Sequence, residues 1–445
     1  MNAADSVWRR DVVSWSLYDF ANTVYSMNIV SLYLKRYLVE DLGYGDHYFD
    51  IPFAASMLLA ALLLPALGVL SDHHAKKKTF LFLFTLTCCI SVGLMPLVPS
   101  WAVLGLLILF IIANFSYEAG LPFYNALLYS VADGRQARLV SGIGVAWGYM
   151  GSIVGMILVL PFVVGDLYGL QIPLVSAGGK LNSFVPSAIL FFIFALPCFI
   201  WVREKPVQHQ TRSSLTGAYV EVWQAIRQTK KYPGVLRFLI ADYFVEDAVA
   251  TVILNIGLYL SIVLSMPEQQ ITTFLIISTI TAVAGSFVVG YLAKSWSLHR
   301  MLYLVFAAWV LVLAAFVLTN SMPAIWVLGS LVGVLLGALW TTTRPFLAEI
   351  VPHDELGKFF GLFSLSGRAA AVVGPLIWTL TVYLFAPERT LGRRLGAALG
   401  LDSQGLTRLP YKMGVLSLAL MVLIGLLVFR GVPRRQETAD GKPGR

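Results

Sequence analysis

The sequence predicts an all-α integral membrane protein, with twelve transmembrane helices in two pseudo-symmetric six-helix bundles. Three observations predict it. The first is composition: 13% of the 445 residues are charged, 58% are apolar and mean hydropathy is +0.76, whereas a soluble domain carries about 25% charged residues. The second is length, because twelve apolar stretches each reach the roughly 20 residues that cross a bilayer. The third is an internal repeat. "GIGVAWGYMGSIVG" (142–155) aligns with "GLFSLSGRAAAVVG" (361–374), matching Gly142/Gly361, Gly148/Gly367 and Gly155/Gly374. "GVLSDHHAKKK" (68–78) recurs more faintly as "GYLAKSWSLHR" (290–300), at nearly the same offset.

The predicted spans, numbered one to twelve, lie near 12–36, 51–71, 79–98, 101–128, 138–165, 183–202, 235–263, 270–293, 300–319, 323–348, 358–386 and 411–430. Span one follows ten mixed residues with no Ala-x-Ala-like site behind it, so no cleavable signal peptide is expected. The one long polar stretch between spans, 203–234, divides the chain into an N-terminal bundle (1–202), a cytoplasmic linker and a C-terminal bundle (235–445). Two repeated halves around a midplane site form a transporter architecture.

Lys and Arg set orientation. With a cytoplasmic N-terminus, 21 basic residues fall inside and 8 outside, leaving Arg237, Arg344 and Arg368 within spans. Both termini are therefore expected in the cytoplasm. Arg389, Arg393, Arg394 and Arg408 break the pattern in the last external loop, where "RRLGAALG" reads as an interfacial amphipathic piece. The formal charge of +8 does not point to nucleic acid, because the basic residues flank apolar runs rather than forming a binding face. Cys88, Cys89 and Cys198 lie in apolar runs without metal-ligand or disulfide spacing and read as small core residues. The six histidines are assigned to loops, and neither metal nor cofactor is expected. There is no His-x-x-x-His pair, nucleophile elbow or Walker loop to indicate an enzyme.

"GVLSDHHAKKK" resembles the signature between helices two and three of the major facilitator superfamily, through Gly68, Leu70, Asp72 and Lys76, Lys77 and Lys78. A second glycine expected before the basic cluster is missing, and the second-half loop has Lys294 where the acid would stand. "SWSLYDFANTVYSMNI", "VSGIGVAWGYMGS" and "EIVPHDELGKFFGLFSLSGRAAAVVGPL" are similar to the vacuole-effluxer-like branch, also called the unknown major facilitator family. The resemblance implies the facilitator fold and a multi-pass exporter, with eukaryotic members associated with amino-acid efflux from the vacuole. It also implies that Gly68, Asp72 and Lys76–Lys78 latch the cytoplasmic side, the acid facing a helix N-terminus, and that spans one, four, seven and ten line the cavity.

Ionisable groups inside spans are costly and normally face a cavity or a partner. Setting aside Arg237 at the boundary of span seven, they are Asp19 in span one, Glu118 in span four, Asp242, Glu246 and Asp247 in span seven, Arg344 in span ten and Arg368 in span eleven. Six of the seven fall on the four spans that the resemblance makes cavity-lining. Ser16, Asp19, Asn22, Thr23 and Ser26 share one face of span one, and Asp247, Thr251 and Asn255 share one face of span seven. Span four adds Asn114, Glu118 and Asn125 around Pro122. The expected substrate or proton site is thus Asp19, Asn22, Thr23, Ser26, Glu118, Asn125, Glu246, Asp247 and Arg344.

Alternatives stay open for each group. Asp19 reads either as a ligand or as part of a structural network with span seven. Glu118 reads as a ligand or as an ion-pair partner of Arg344 or Arg368. Asp242 reads as a gate or surface residue, and Arg368 as a structural or gating one. The acidic excess also suits proton coupling through Glu118, Asp19 or Glu246. The functional expectation is a monomeric secondary transporter of a small zwitterion, working by alternating access in a bacterial plasma membrane. An exporter of organic cations or drugs and a non-transporting sensor are the competing readings.

Overall fold

A computed structural model describes residues 8–74, 77–132, 134–172, 177–204, 215–292, 295–351 and 356–433. Among these, every predicted span is helical, with ends within a few residues of those expected, except that the twelfth begins eight residues early at Ser403. Among the described residues, ten helices are long and apolar enough to cross a membrane, from Lys77–Leu97 to Ser403–Phe429. Span two is the helix His47–His74, of which His47–Leu63 is apolar. The helix that holds span one runs from Arg10 to Asp41, past the end of the span itself. It is α-helical only over Arg10–Tyr25 and Leu34–Arg36, with π-helical turns over Ser26–Tyr33 and Tyr37–Asp41.

Prolines interrupt the hydrogen-bond ladder inside several spans, among them Pro122, Pro161, Pro345 and Pro375. Transmembrane helices tolerate this because neighbouring helices satisfy the freed backbone groups. Large apolar side chains remain exposed along many spans, for example Leu58, Leu62, Ile108, Ile193, Phe287 and Leu311. Apolar exposure on that scale marks a surface made for hydrocarbon.

The contacts group the chain into two compact units, Met1–Tyr219 with Ile253–Thr279, and Val220–Val252 with Ile280–Arg445. The first unit therefore contains the C-terminal half of span seven and the start of span eight. Three local elements add to the sequence reading. The linker contains a helix, Leu215–Gln228. The loop after span five forms a two-stranded antiparallel hairpin, Asp166–Leu167 with Leu170–Gln171. A short helix, Thr390–Ala398, occupies the "RRLGAALG" segment. His47, His73 and His74 lie in the span-two helix rather than in loops, and His299 is in the first turn of span nine, buried, with Nε2 3.0 Å from the Val432 carbonyl oxygen. The three cysteines are free and buried.

Candidate functional site

In the first unit, span five shapes the polar face of span one. Gly144, Gly148, Gly151 and Gly155 meet Trp15, Asp19, Phe20 and Val24 in turn. A Cβ on Gly151 would lie 2.1 Å from the Phe20 carbonyl oxygen, so only glycine permits this approach. The close contact lets the Thr23 hydroxyl donate to the Gly148 carbonyl at 2.7 Å. The Asn22 amide donates to Asp19 Oδ1 at 3.1 Å, and the Ser26 hydroxyl to the Thr23 carbonyl at 3.3 Å. Asp19 Oδ2 lies beside the bare edge of Gly148, 3.5 Å from where a side chain would begin. Asp19, Asn22, Thr23 and Ser26 thus form the single run that helical spacing predicts.

The π-helical turns start at Ser26, where the polar face ends. Widened turns of this kind occur frequently at functional sites. On span four, Asn114 is buried, accepts from the Tyr25 hydroxyl at 3.3 Å and donates to Ser56 at 2.8 Å. Glu118 is half-buried one turn further on and Asn125 is exposed. Tyr18 and Tyr25, aromatic neighbours of the polar face, are themselves buried in the packed bundle.

In the second unit, Asp242 is buried rather than a surface residue, and its Oδ1 has no hydrogen-bond partner. Glu246, one turn along, accepts from the Trp340 indole at 3.4 Å, and Arg344 acts on it electrostatically from one turn beyond Trp340. Arg344 is exposed and Arg368 half-buried. Asp247 is buried, accepting the Gly374 backbone N–H on Oδ1 at 2.8 Å while its Oδ2 lacks a hydrogen bond. A Cβ on Gly374 would sit 2.2 Å from Thr251 Oγ1 and 2.6 Å from Asp247 Oδ1. Gly155 and Gly374, matched by the repeat, therefore each press against the polar span that their own bundle presents.

A third cluster was not foreseen. Lys35 and Arg36 read as flanking anchors in the sequence, yet both are buried. Lys35 Nζ donates to both Asp50 oxygens at 2.8 and 2.9 Å, to Asn255 Oδ1, and pairs with Asp46 at 3.1 Å. Arg36 grips both oxygens of Glu40 at 3.0 and 3.1 Å and reaches Glu268 at 2.6 Å. Lys180 closes the set on Asp41 at 2.6 Å and Glu40 at 3.0 Å. The network ties the C-terminal ends of spans one and seven to the starts of spans two, six and eight. Asn255, expected on the site face of span seven, belongs here. Glu40 lies beyond the end of span one. Burial pushes its carboxyl up, but the charge and hydrogen bonds of Arg36, with Ser261 and Lys180, outweigh this and leave Glu40 below the ordinary carboxylate value. The available signal was the run of opposite charges, Lys35, Arg36, Glu40, Asp41, Asp46 and Asp50, around the connection between spans one and two.

Also in the first unit, the start of span three is held by an acid that sequence reasoning passed over. Glu204 accepts the backbone N–H groups of Lys77 at 3.1 Å and Lys78 at 2.6 Å. It thereby caps the span-three N-terminus, where the helix dipole favours negative charge. Lys78 Nζ donates to the Val202 carbonyl at 3.0 Å. Lys76 lies outside the described residues, as do the side chain of Asp72 and the surroundings of Gly68.

Comparison with known proteins agrees with this architecture. The family model described as "Vacuole effluxer Atg22 like" matches residues 129–382, more than half of the chain. An uncharacterized MFS-type transporter, YxiO of Bacillus subtilis (strain 168), is 25% identical over 433 residues, covering 96% of this chain and 95% of its own. Autophagy-related protein 22 of Coccidioides immitis (strain RS) is 22% identical over 407 residues, covering 73% of this chain and 66% of its own. Among solved structures, a point mutant of the nucleoside transporter NupG superposes with a TM-score of 0.74 at 15% identity, covering 95% of this chain and all of its own. A bacterial homologue of the human lysosomal transporter Spinster, inward-facing and unoccupied, gives 0.70 at 12% identity and 96% coverage of both chains. These superpositions carry the major facilitator fold.

Proposed function

Since the chain belongs to the Atg22-like vacuole effluxer family and is a membrane transporter of the major facilitator type, we propose that it carries a small zwitterion such as an amino acid, by alternating access driven by protons. One observation carries this reading. On span seven Glu246 is held by the Trp340 indole with the Arg344 guanidinium nearby, so an acid, an aromatic plane and a cation are offered together. A zwitterion needs that pairing: its carboxylate suits Arg344, and its ammonium suits a carboxylate such as Asp247.

Proton coupling draws support from the buried acids. Asp242 Oδ1 and Asp247 Oδ2 are buried without hydrogen bonds, although buried polar groups are ordinarily paired. Glu118, Asp19 and Glu246 remain the carriers we assign, because each keeps some surface exposure that Asp242 and Asp247 lack. The half-chain bundles 1–202 and 235–445 are the moving bodies in this reading. Both termini lie in the cytoplasm of a bacterium, and the protein works as a monomer.

The excess of acids over arginines favours a second reading, export of organic cations. Counterflow in proteoliposomes separates the two. Labelled neutral amino acids exchange if the first reading holds; labelled quaternary amines exchange and amino acids do not if the second holds. Nucleosides, the cargo of NupG, belong in the same screen as a third arm.

A further inference from the structure

Three of the four arginines opposite the expected basic surplus, Arg389, Arg393 and Arg394, have a structural explanation. The span-eleven helix ends at Leu384, and its last turns expose Leu380, Tyr383 and Leu384 as a hydrocarbon-facing edge. Five residues later the chain folds back, placing the Arg389 guanidinium 3.9 Å from the centre of the Tyr383 ring. Arg389 is thus level with the final apolar turn, the height at which a Tyr meets lipid headgroups.

The helix Thr390–Ala398 starts there and is fastened by its glycines. A Cβ on Gly392 would lie 2.3 Å from the Ala386 carbonyl oxygen, and one on Gly396 2.2 Å from Leu406. With that face committed, the 100° step puts Arg393 to one side of the glycines, Leu391 to the other and Arg394 opposite them. Leu399 follows at the C-cap, and all four side chains are exposed. The Arg393 guanidinium donates to the Glu388 carbonyl at 3.3 Å. Among the described residues, no acid pairs with Arg389, Arg393, Arg394 or Arg408. An unpaired arginine cluster with apolar flanks, anchored at headgroup height, is complementary to phosphate on a lipid and not to water alone.

We propose that the helix Thr390–Ala398 is a binding surface for anionic phospholipid, with Arg393 and Arg394 holding the headgroup phosphate while Leu391 and Leu399 enter the acyl region. The test uses the full chain in nanodiscs of phosphatidylcholine with and without phosphatidylglycerol, followed by native mass spectrometry of the retained lipid. Wild type is expected to retain phosphatidylglycerol preferentially, and added sodium chloride to weaken that preference. Arg393→Gln with Arg394→Gln should lower it by about fivefold per arginine removed. Arg393→Lys with Arg394→Lys should keep most of it. Equal retention of the two lipids by wild type overturns the proposal, as does a glutamine variant that keeps the preference. So does full competition by soluble glycerol phosphate, which would make this a site for a free anion. If the glutamine variant fails to fold in phosphatidylcholine, the salt series and the lysine variant decide the matter.

Discussion

Lys35 Nζ sits between Asp50, at 2.8 and 2.9 Å, and Asp46, at 3.1 Å, with all three side chains buried. Removing the lysine leaves two carboxylates facing each other away from water, and breaking a buried pair in this way costs about 3–5 kcal/mol. Lys35→Met should therefore lower the melting temperature in detergent markedly, and Lys35→Met with Asp50→Asn should recover part of the loss. A melting temperature unchanged in Lys35→Met would show that the charges are solvated and the network contributes nothing.

Glu40 sets the acid limit of the same network. Its carboxyl lies below the ordinary value in the folded protein, so it binds fewer protons there than in the unfolded chain. The stability it contributes is complete above the unfolded value of about 4.3 and is lost as pH falls through the lower folded value. Thermal melts on acidification should show wild type losing more stability than Glu40→Gln across that window. Parallel curves for the two proteins would remove Glu40 from the acid response.

Much of this molecule is legible in its sequence, for a physical reason. A helix in lipid must satisfy its own backbone, so an apolar run of sufficient length has one available structure, and the predicted spans all became helices. The run Asp19, Asn22, Thr23 and Ser26 was legible for a related reason, since only 3.6-residue periodicity operates on it. Partners between distant segments were not. Lys35 with Asn255, and Glu204 with the Lys77 and Lys78 amides, join residues more than a hundred positions apart, and no local pattern announces such a pair. The π-helical turns after Tyr25 were likewise hidden, because Ser26–Asp41 contains neither the Pro nor the Gly that ordinarily signals a break.

The glycines on spans five and eleven differ in what a methyl group would meet. At Gly151 and Gly374 a Cβ would overlap backbone or side-chain oxygen of the neighbouring span, whereas at Gly142 and Gly367 nothing lies within 4 Å. Gly151→Ala and Gly374→Ala should each cost about 1–3 kcal/mol through forced separation of the helices. Gly142→Ala and Gly367→Ala should be close to neutral. Melting temperatures of the four variants check this directly, and a uniform response would mean that helix spacing here is not set by these glycines.

Gly148 separates packing from binding. Its added Cβ would lie 3.5 Å from Asp19 Cγ and Oδ2, an ordinary contact that demands no movement of the helices. The methyl would nevertheless cover the carboxylate oxygen that Asn22 leaves open. If Asp19 receives the ammonium of the solute, Gly148→Ala should raise KM several-fold with little change in melting temperature, and Asp19→Asn should abolish uptake. If Asp19 serves only the structure of span one through its contact with Asn22, Asp19→Asn should lower stability while leaving KM near wild type. Glu246→Gln provides the contrast on the other unit. A proton carrier at that position predicts exchange of labelled solute that survives in Glu246→Gln while pH-driven accumulation is lost. Loss of exchange and accumulation together would instead place Glu246 in contact with the solute, beside Trp340 and Arg344.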